Sequence, residues 1–288
     1  MHWKTKSAAF RILSAIPLGG AIHHLLQRHV TREWPRAEPV LDQLIVAARD
    51  ILAAAAIDVD VGKTRFLEIG AGRDLAAALA MRMLGVGSVT TLDIDRLARI
   101  DLINHAAQYI ARQLGVPVPS FADFDDLAAF GIDYRAPMRI TDIVEESFDC
   151  FYSVDTLEHI PPAPLAEVLT TSRARLKPGG VAVHIIDYSD HYAREGGASR
   201  INFLRYSDRD WESHNSRFLY MNRLRHSQFL ELFENAGYRS IDADPFRLDA
   251  AEIPLEELDP KFRAMSIDDV ATLRARITAR VDPGQSSR

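Results

Sequence analysis

At 288 residues, 47% hydrophobic and 26% charged, the chain has the composition of a soluble globular protein, long enough for one large α/β domain with appendages. A formal net charge of −6 runs against a general nucleic-acid binder, which carries a basic excess. The single cysteine, Cys150, excludes an intramolecular disulfide, gives no support to a cysteine-based zinc site, and fits a reducing cytoplasm.

The charge is uneven: residues 1–36 hold six Lys and Arg against Glu33, a net of +5, which leaves the remainder near −11. The apolar run 7–26 follows Lys4 and Lys6, but Arg11 interrupts it and Pro17-Leu-Gly-Gly20 breaks it. It is therefore read neither as a secretory signal nor as a membrane span. Residues 7–32 predict one or two short amphipathic helices divided at Pro17–Gly20, and the basic arm offers weak peripheral contact with an anionic membrane surface. His23, His24 and His29 have no acidic or cysteine companions and read as helix-face histidines rather than ligands. Pro35 and Pro39 set the start of a helix over about 40–57, with Leu41, Leu44, Ile45, Ala48, Ile51 and Leu52 at helical spacing. Residues 1–58 thus read as a helical lid or brace.

From there strands alternate with helices. Arg65–Ile69 predicts a buried strand, Gly70-Ala-Gly72 a turn, and 75–84 an Ala-rich helix. Ser88–Leu92 predicts a second strand, 96–113 a helix and 122–129 a short one, and Met138–Thr141 a third strand. Phe148–Val154 is an apolar fourth strand covered on both faces, Pro161-Pro162 starts a helix to about 175, and Val181–Ile186 is a fifth strand. This alternation implies a parallel sheet with right-handed crossovers. Residues 188–221 break the rhythm and read as a functional loop. A helix over 223–236, a hairpin of 238–242 with 245–248, and a terminal helix over 266–281 complete the reading, with 59–248 as the main domain and 249–288 as a helical tail.

Ligands of open parallel sheets sit outside the carboxyl ends of the strands. Here those ends are Gly70-Ala-Gly72, Asp93, Asp142, Asp155 and Asp187. Four carboxylates in one crevice would repel one another unless a polar or cationic ligand compensated.

Leu67-Glu-Ile-Gly-Ala-Gly72, Thr91-Leu-Asp93, Ile140-Thr-Asp142, Ser147-Phe-Asp149 through Asp155-Thr-Leu-Glu-His-Ile160, and Leu176-Lys-Pro-Gly-Gly180 resemble, in order, the motifs of class I S-adenosylmethionine-dependent methyltransferases. The likeness covers about 60–245. Within that superfamily the chain is similar to ubiquinone-biosynthesis-type small-molecule methyltransferases and to bacterial members associated with surface-glycan genes, the latter through Asn202–Asp208 and Asn222–His226. The resemblance implies a Rossmann-like seven-stranded sheet of order 3-2-1-4-5-7-6, here with N-terminal helices and a C-terminal helical tail. It also implies S-adenosyl-L-methionine as cofactor and S-adenosyl-L-homocysteine as product.

Carried over, the resemblance places Gly70, Ala71 and Gly72 along the methionine moiety with Glu68 supporting its ammonium. Asp93 would accept from the ribose hydroxyls and Asp142 from the adenine amino group, with Ile94 and Ile143 as apolar walls, and Asp155 would face the transfer site. The pattern departs at Arg73-Asp74, where many members have a small residue, and Asp74 reads first as a helix cap. Methyl transfer is an in-line displacement, and a hydroxyl acceptor also gains from a base. His159 and His191, with Asp187 beside the latter, are the candidates, since imidazole ordinarily titrates near working pH. His184, inside a strand, reads as a buried, hydrogen-bonded histidine.

No metal is called for, although Asp155, Glu158 and His159 form D-x-x-E-H, similar to the E-x-x-E-H that binds a divalent ion in some ubiquinone-type and RNA-end methyltransferases. The aromatics and arginines of 188–221, among them Tyr188, Tyr192, Phe203, Trp211, Arg194 and Arg217, suit a small-molecule, sugar or anionic acceptor, or form a mini-core under a lid. Two rival readings are a nicotinamide-dependent oxidoreductase, disfavoured by Leu75 at the third glycine place, and a non-catalytic cofactor-binding scaffold of the same fold.

Overall fold

A computed structural model describes residues 2–57, 60–144, 147–193 and 199–282. Seven strands form one sheet: β1 (Arg65–Ile69), β2 (Ser88–Leu92), β3 (Ile132–Arg135), β4 (Phe148–Val154), β5 (Leu176–Asp187), β6 (Arg239–Arg247) and β7 (Thr272–Arg280). Their spatial order is β3-β2-β1-β4-β5-β7-β6. The first five run parallel, while β7 lies antiparallel between β5 and β6. This is the order expected of a class I methyltransferase sheet, and its switch point falls between β1 and β4.

Helices α1 (Trp3–Ala15), α2 (Gly19–His29) and α3 (Glu38–Ala55) precede the sheet. On one face α3, α4 (Ala76–Met83) and α5 (Ile100–Leu114) bury Leu41, Ile45, Leu79 and Ile110 against Phe66, Val89 and Tyr152. After the short α6 (Phe124–Ala129), α7 (Pro162–Arg175) covers the other face. Beyond α8 (Asp208–Glu212), α9 (His226–Asn235) joins it, so that Leu165, Leu169, Phe229 and Phe233 pack on Leu67, Phe151 and Ile186. A third cluster joins Trp3, Tyr192, Phe203 and Trp211 to Phe262 and Leu273, near α10 (Pro260–Arg263) and α11 (Ile267–Ala271).

Three elements differ from the sequence reading. β3 is Ile132–Arg135, and the predicted strand at 138–141 ends in a 3-10 turn, Ile140–Asp142. The expected hairpin is one continuous strand, β6, at the end of the sheet. Pro245 is tolerated there because an edge strand leaves one side of its backbone unpaired. The terminal helix stops at Ala271 and residues 272–280 form β7. Leu273, Ala275, Ile277 and Ala279 alternate with Arg274, Arg276 and Arg280, a period of two that belongs to a strand. The segment read as a helical tail therefore supplies an interior strand of the sheet.

Candidate active site at the carboxyl ends of the strands

The glycine turn after β1 is fixed from two sides. Gly70 has φ +84 and a Cβ there would collide with the Thr156 side chain beyond β4, so both conformation and space demand glycine. The Gly70 and Ala71 N–H groups donate to the Leu92 carbonyl at 2.9 and 3.1 Å. The place of a third glycine holds Leu75, fully buried at φ +51 immediately before α4.

Asp93 follows β2. Its two carboxylate oxygens accept from the Gly72 and Asp95 N–H groups, each at 3.1 Å, which leaves further lone pairs on both for a ligand. Burial raises its pKa against those hydrogen bonds. Ile94, next to it, is 72% exposed and presents an uncovered apolar surface. Ile143 does not: it is buried in the second core cluster, so the expected apolar wall is absorbed into packing. Asp142 does not end a strand; it is exposed, and its carboxylate accepts the Arg139 N–H at 3.0 Å within the 3-10 turn.

Glu68 stands in register with Thr91 on one side and Tyr152 on the other. The Thr91 hydroxyl donates to its carboxylate at 2.5 Å. Burial pushes the Glu68 carboxyl up to about 8, only partly offset by its hydrogen bonds. A nearly sealed acid at the inner end of the glycine turn suits a bound ammonium, whose charge would favour the ionised form. Asp74 is likewise buried. It pairs with Arg36 at 2.8 Å and accepts the Ala76 N–H at 3.3 Å from one place before the N-cap, which is Leu75 rather than the Asp74 expected. Burial raises its pKa while Arg36 opposes the shift. Arg36, stacked on Trp34, carries the N-terminal segment across the turn to within 3.8 Å of where a Gly72 Cβ would sit.

The ends of β4 and β5 gather the other candidates. Asp155 adopts φ +49 and pairs with Arg274 of β7 at 3.0 Å. Carboxylate repulsion in the crevice is thus answered partly from within the protein. Glu158, His159 and His191 each bring a ligand atom within 4.8 Å of the others. His191 Nε2 lies 3.2 Å from Asp187 Oδ2, and the two imidazoles meet edge-on with centroids 4.9 Å apart. His159 Nδ1 is 2.7 Å from the Tyr220 carbonyl. Glu158 is buried and neither of its carboxylate oxygens has a hydrogen-bond partner; burial, then Asp155 and Asp187, raise its pKa well above the carboxylate range. Asp155, predicted as a partner of Glu158 and His159, stands outside this trio, and His191 takes its place. His184 is the buried histidine expected: it shares a hydrogen bond with Ser153 at 2.8 Å, and burial pushes it down to about 3.

Residues 199–223 close over this end. Tyr188, Tyr192, Phe203 and Trp211 are all buried, the last three in the third core cluster and Tyr188 in the second, so they pack as core rather than as a substrate wall, whereas Phe218 and Tyr220 keep partial exposure. Arg194 lies outside the described residues. Asn222 donates to the Leu157 and Ile160 carbonyls, both at 2.9 Å. The fully buried Arg225 donates to the carbonyls of Tyr188, Asp269, Val270 and Thr272. The Asn222–His226 motif is therefore a clamp of the loop onto the strand ends. Arg36 and Arg274 were given no site role from sequence, whereas Thr91 and Arg225 stand inside the Thr91-Leu-Asp93 and Asn222–His226 motifs without a role of their own. Arg274 carried only the signal of strand alternation.

The match of residues 23–243 to the methyltransferase-domain family settles the class: the chain belongs to that family and is a class I S-adenosylmethionine-dependent methyltransferase. No curated protein matches the sequence. Among solved structures, a chain from the complex of the Haloferax volcanii Trm112 methyltransferase activator with a methyltransferase is 18% identical, at a TM-score of 0.48, covering 88% of this chain and 96% of that one. Phosphoethanolamine N-methyltransferase 2 of Haemonchus contortus, solved with S-adenosyl-L-methionine, is 16% identical at 0.49, covering 89% of this chain and 59% of that one. A methyltransferase from Bacillus halodurans is 15% identical at 0.47, covering 82% and 99%.

Proposed function

We propose that the chain methylates an oxygen of a small-molecule or glycan-linked acceptor, with His191 as general base and Asp187 as the carboxylate that orients it. The carrying observation is the 3.2 Å approach of His191 Nε2, a buried nitrogen without a hydrogen bond among the described residues, to Asp187 Oδ2 at the end of β5, in the same sheet as the β1 turn that suits the methionine end of the cofactor. When bound, S-adenosylmethionine supplies an electrophilic methyl group and its own leaving group. What the chain supplies is position and dryness: Gly70 and Gly72 allow close backbone approach, Glu68 meets an ammonium, and Asp93 meets hydroxyls. An oxygen acceptor gives up a proton as it becomes the nucleophile, and an imidazole held by a carboxylate can take it.

A second reading rests on Glu158. A buried carboxylate with His159 Nε2 4.0 Å from its Oε1, and with two histidine nitrogens inside 4.8 Å, forms a donor set for a divalent cation that would activate the acceptor oxygen instead.

Both are tested with His191→Gln and Glu158→Gln on any acceptor found by screening. A base predicts a loss of about 10²–10⁴-fold in kcat for His191→Gln, unchanged affinity for S-adenosylhomocysteine, and indifference to chelators. A cation predicts that both variants and chelation lower the rate together and that a divalent metal restores the wild type. A His191→Gln enzyme with undiminished kcat in metal-free buffer would remove His191 from the chemistry.

A further inference from the structure

Half of the fourteen strongly exposed large apolar side chains among the described residues fall between positions 12 and 30. They lie on α1, on α2 and at the ends of the two helices of the α1–α2 hairpin. Ile12 lies in the last turn of α1 and Ile16 just beyond it, Ile22 and Leu25 follow each other by one turn on α2, and Leu18 is 79% exposed between the two helices. Exposed apolar residues scattered singly mean little, but a contiguous set on a soluble protein marks a contact surface.

The hairpin is not a loosely packed arm. It is anchored by its buried residues: Trp3 is buried in the third core cluster, Ser7 bonds His214 at 2.9 Å, and His23 stacks on Phe218 at 4.4 Å. Arg28 pairs with Asp101 of α5 at 2.6 Å. The exposed apolar face is thereby held outward from the body.

Charge identifies what that face meets. Residues 1–36 have a net of +5 in a chain of −6; Lys4, Arg11 and Arg32 are exposed, Lys4 over the Trp3 and Tyr206 rings and Arg11 donating to the Ser213 carbonyl at 2.8 Å. A second copy docking face to face would bring two positive surfaces together. At 13 and 11 residues the helices are too short to span a bilayer, and no described helix is long and apolar enough to cross one. An exposed apolar surface on a segment of net positive charge is suited to lying in the headgroup region of an anionic bilayer. We propose that the outward face of the α1–α2 hairpin, with Leu18 between its helices, docks on an anionic lipid surface. This inference is independent of the acceptor and base proposed above.

Co-sedimentation of the full chain with unilamellar vesicles tests it. Binding is expected to vesicles of equal phosphatidylglycerol and phosphatidylcholine, to be about tenfold weaker on phosphatidylcholine alone, and to decline with salt. The double variant Leu18→Ser/Leu25→Ser is expected to bind about tenfold less. Its unfolding temperature should be unchanged, because the side chains are 79% and 55% exposed. Absence of wild-type binding, or equal binding by the double variant, overturns the proposal. So does sedimentation equilibrium showing a wild-type dimer that the double variant converts to monomer, which would make the face a contact between copies.

Discussion

The two ends of the crevice are built in opposite ways. At the end proposed for the cofactor, the bonds joining Gly72 to Asp93 and Thr91 to Glu68 span 21 and 23 residues of sequence. At the end proposed for the acceptor, those joining His159 to Tyr220, Asn222 to Ile160 and Arg274 to Asp155 span 61, 62 and 119. The first is a property of two neighbouring strands and the turns after them. The second exists only once β7 has entered the sheet and the loop has been clamped down. The ends also treat buried charge differently: Glu68 is held by hydrogen bonds in a sealed position, whereas Asp155 meets an arginine from a distant strand. The cofactor end should therefore respond to substitution through protonation and ligand affinity, and the acceptor end through the integrity of the fold.

The largest expected effect lies with Glu68. Its carboxyl is raised from 4.5 to about 8 by burial, so the folded ligand-free protein holds the proton longer than the unfolded chain does. Its contribution is full below pH 4.5, declines as pH rises, and levels off above about 8. A shift of this size corresponds to a loss on the order of 4 kcal/mol across that window. Glu68→Gln cannot ionise and should flatten the decline. Urea unfolding of the two proteins at several pH values checks this, and parallel curves would show that the Glu68 carboxyl titrates alike in the folded and unfolded chain.

The next effect tests the acceptor end. Arg225 satisfies four carbonyls from Tyr188, Asp269, Val270 and Thr272, tying the start of the loop to the approach of β7. Arg225→Met keeps much of the volume and leaves those carbonyls unpaired, at a cost of about 3 kcal/mol. Chemical denaturation at constant pH measures it. A change within about 0.5 kcal/mol would mean that water replaces the guanidinium and that the clamp is not structural.

The same contrast explains how much could be read without coordinates. Strand ends announce themselves where an apolar run meets Gly70 or Asp93, because the pattern is local. The alternation of strands with helices and the buried role of His184 follow from such signals, whereas the sheet order was implied by the resemblance to class I methyltransferases. β3 was displaced because Ile132–Arg135 is short, with only Ile132 fully buried. β7 was hidden because Ile267, Val270, Leu273 and Ile277 happen to fall at helical spacing across the junction of a short helix and a strand. Arg36 on Asp74 and Arg274 on Asp155 were not legible at all, since a cation's partner is chosen by tertiary proximity. The loop aromatics were chemically ambiguous: burial, which sequence does not show, makes Tyr188, Tyr192, Phe203 and Trp211 core.

Asp93 gives the smallest expected effect and the sharpest separation of the two ends. Its oxygens accept two backbone N–H groups at 3.1 Å, both in turns at the edge of the crevice, where water can replace a lost acceptor. Asp93→Ala should therefore leave stability little changed. It should weaken S-adenosylhomocysteine by ~1.5–3 kcal/mol, the range for hydrogen bonds to a charged acceptor, or roughly ten- to a hundredfold in Kd. Calorimetric titration beside a thermal melt distinguishes this from the outcome at Arg225, where stability falls first. If Asp93→Ala lowered stability as much as affinity, the carboxylate's main task would be to hold the Gly72 turn in shape, and the cofactor end would depend on its fold as much as the acceptor end does.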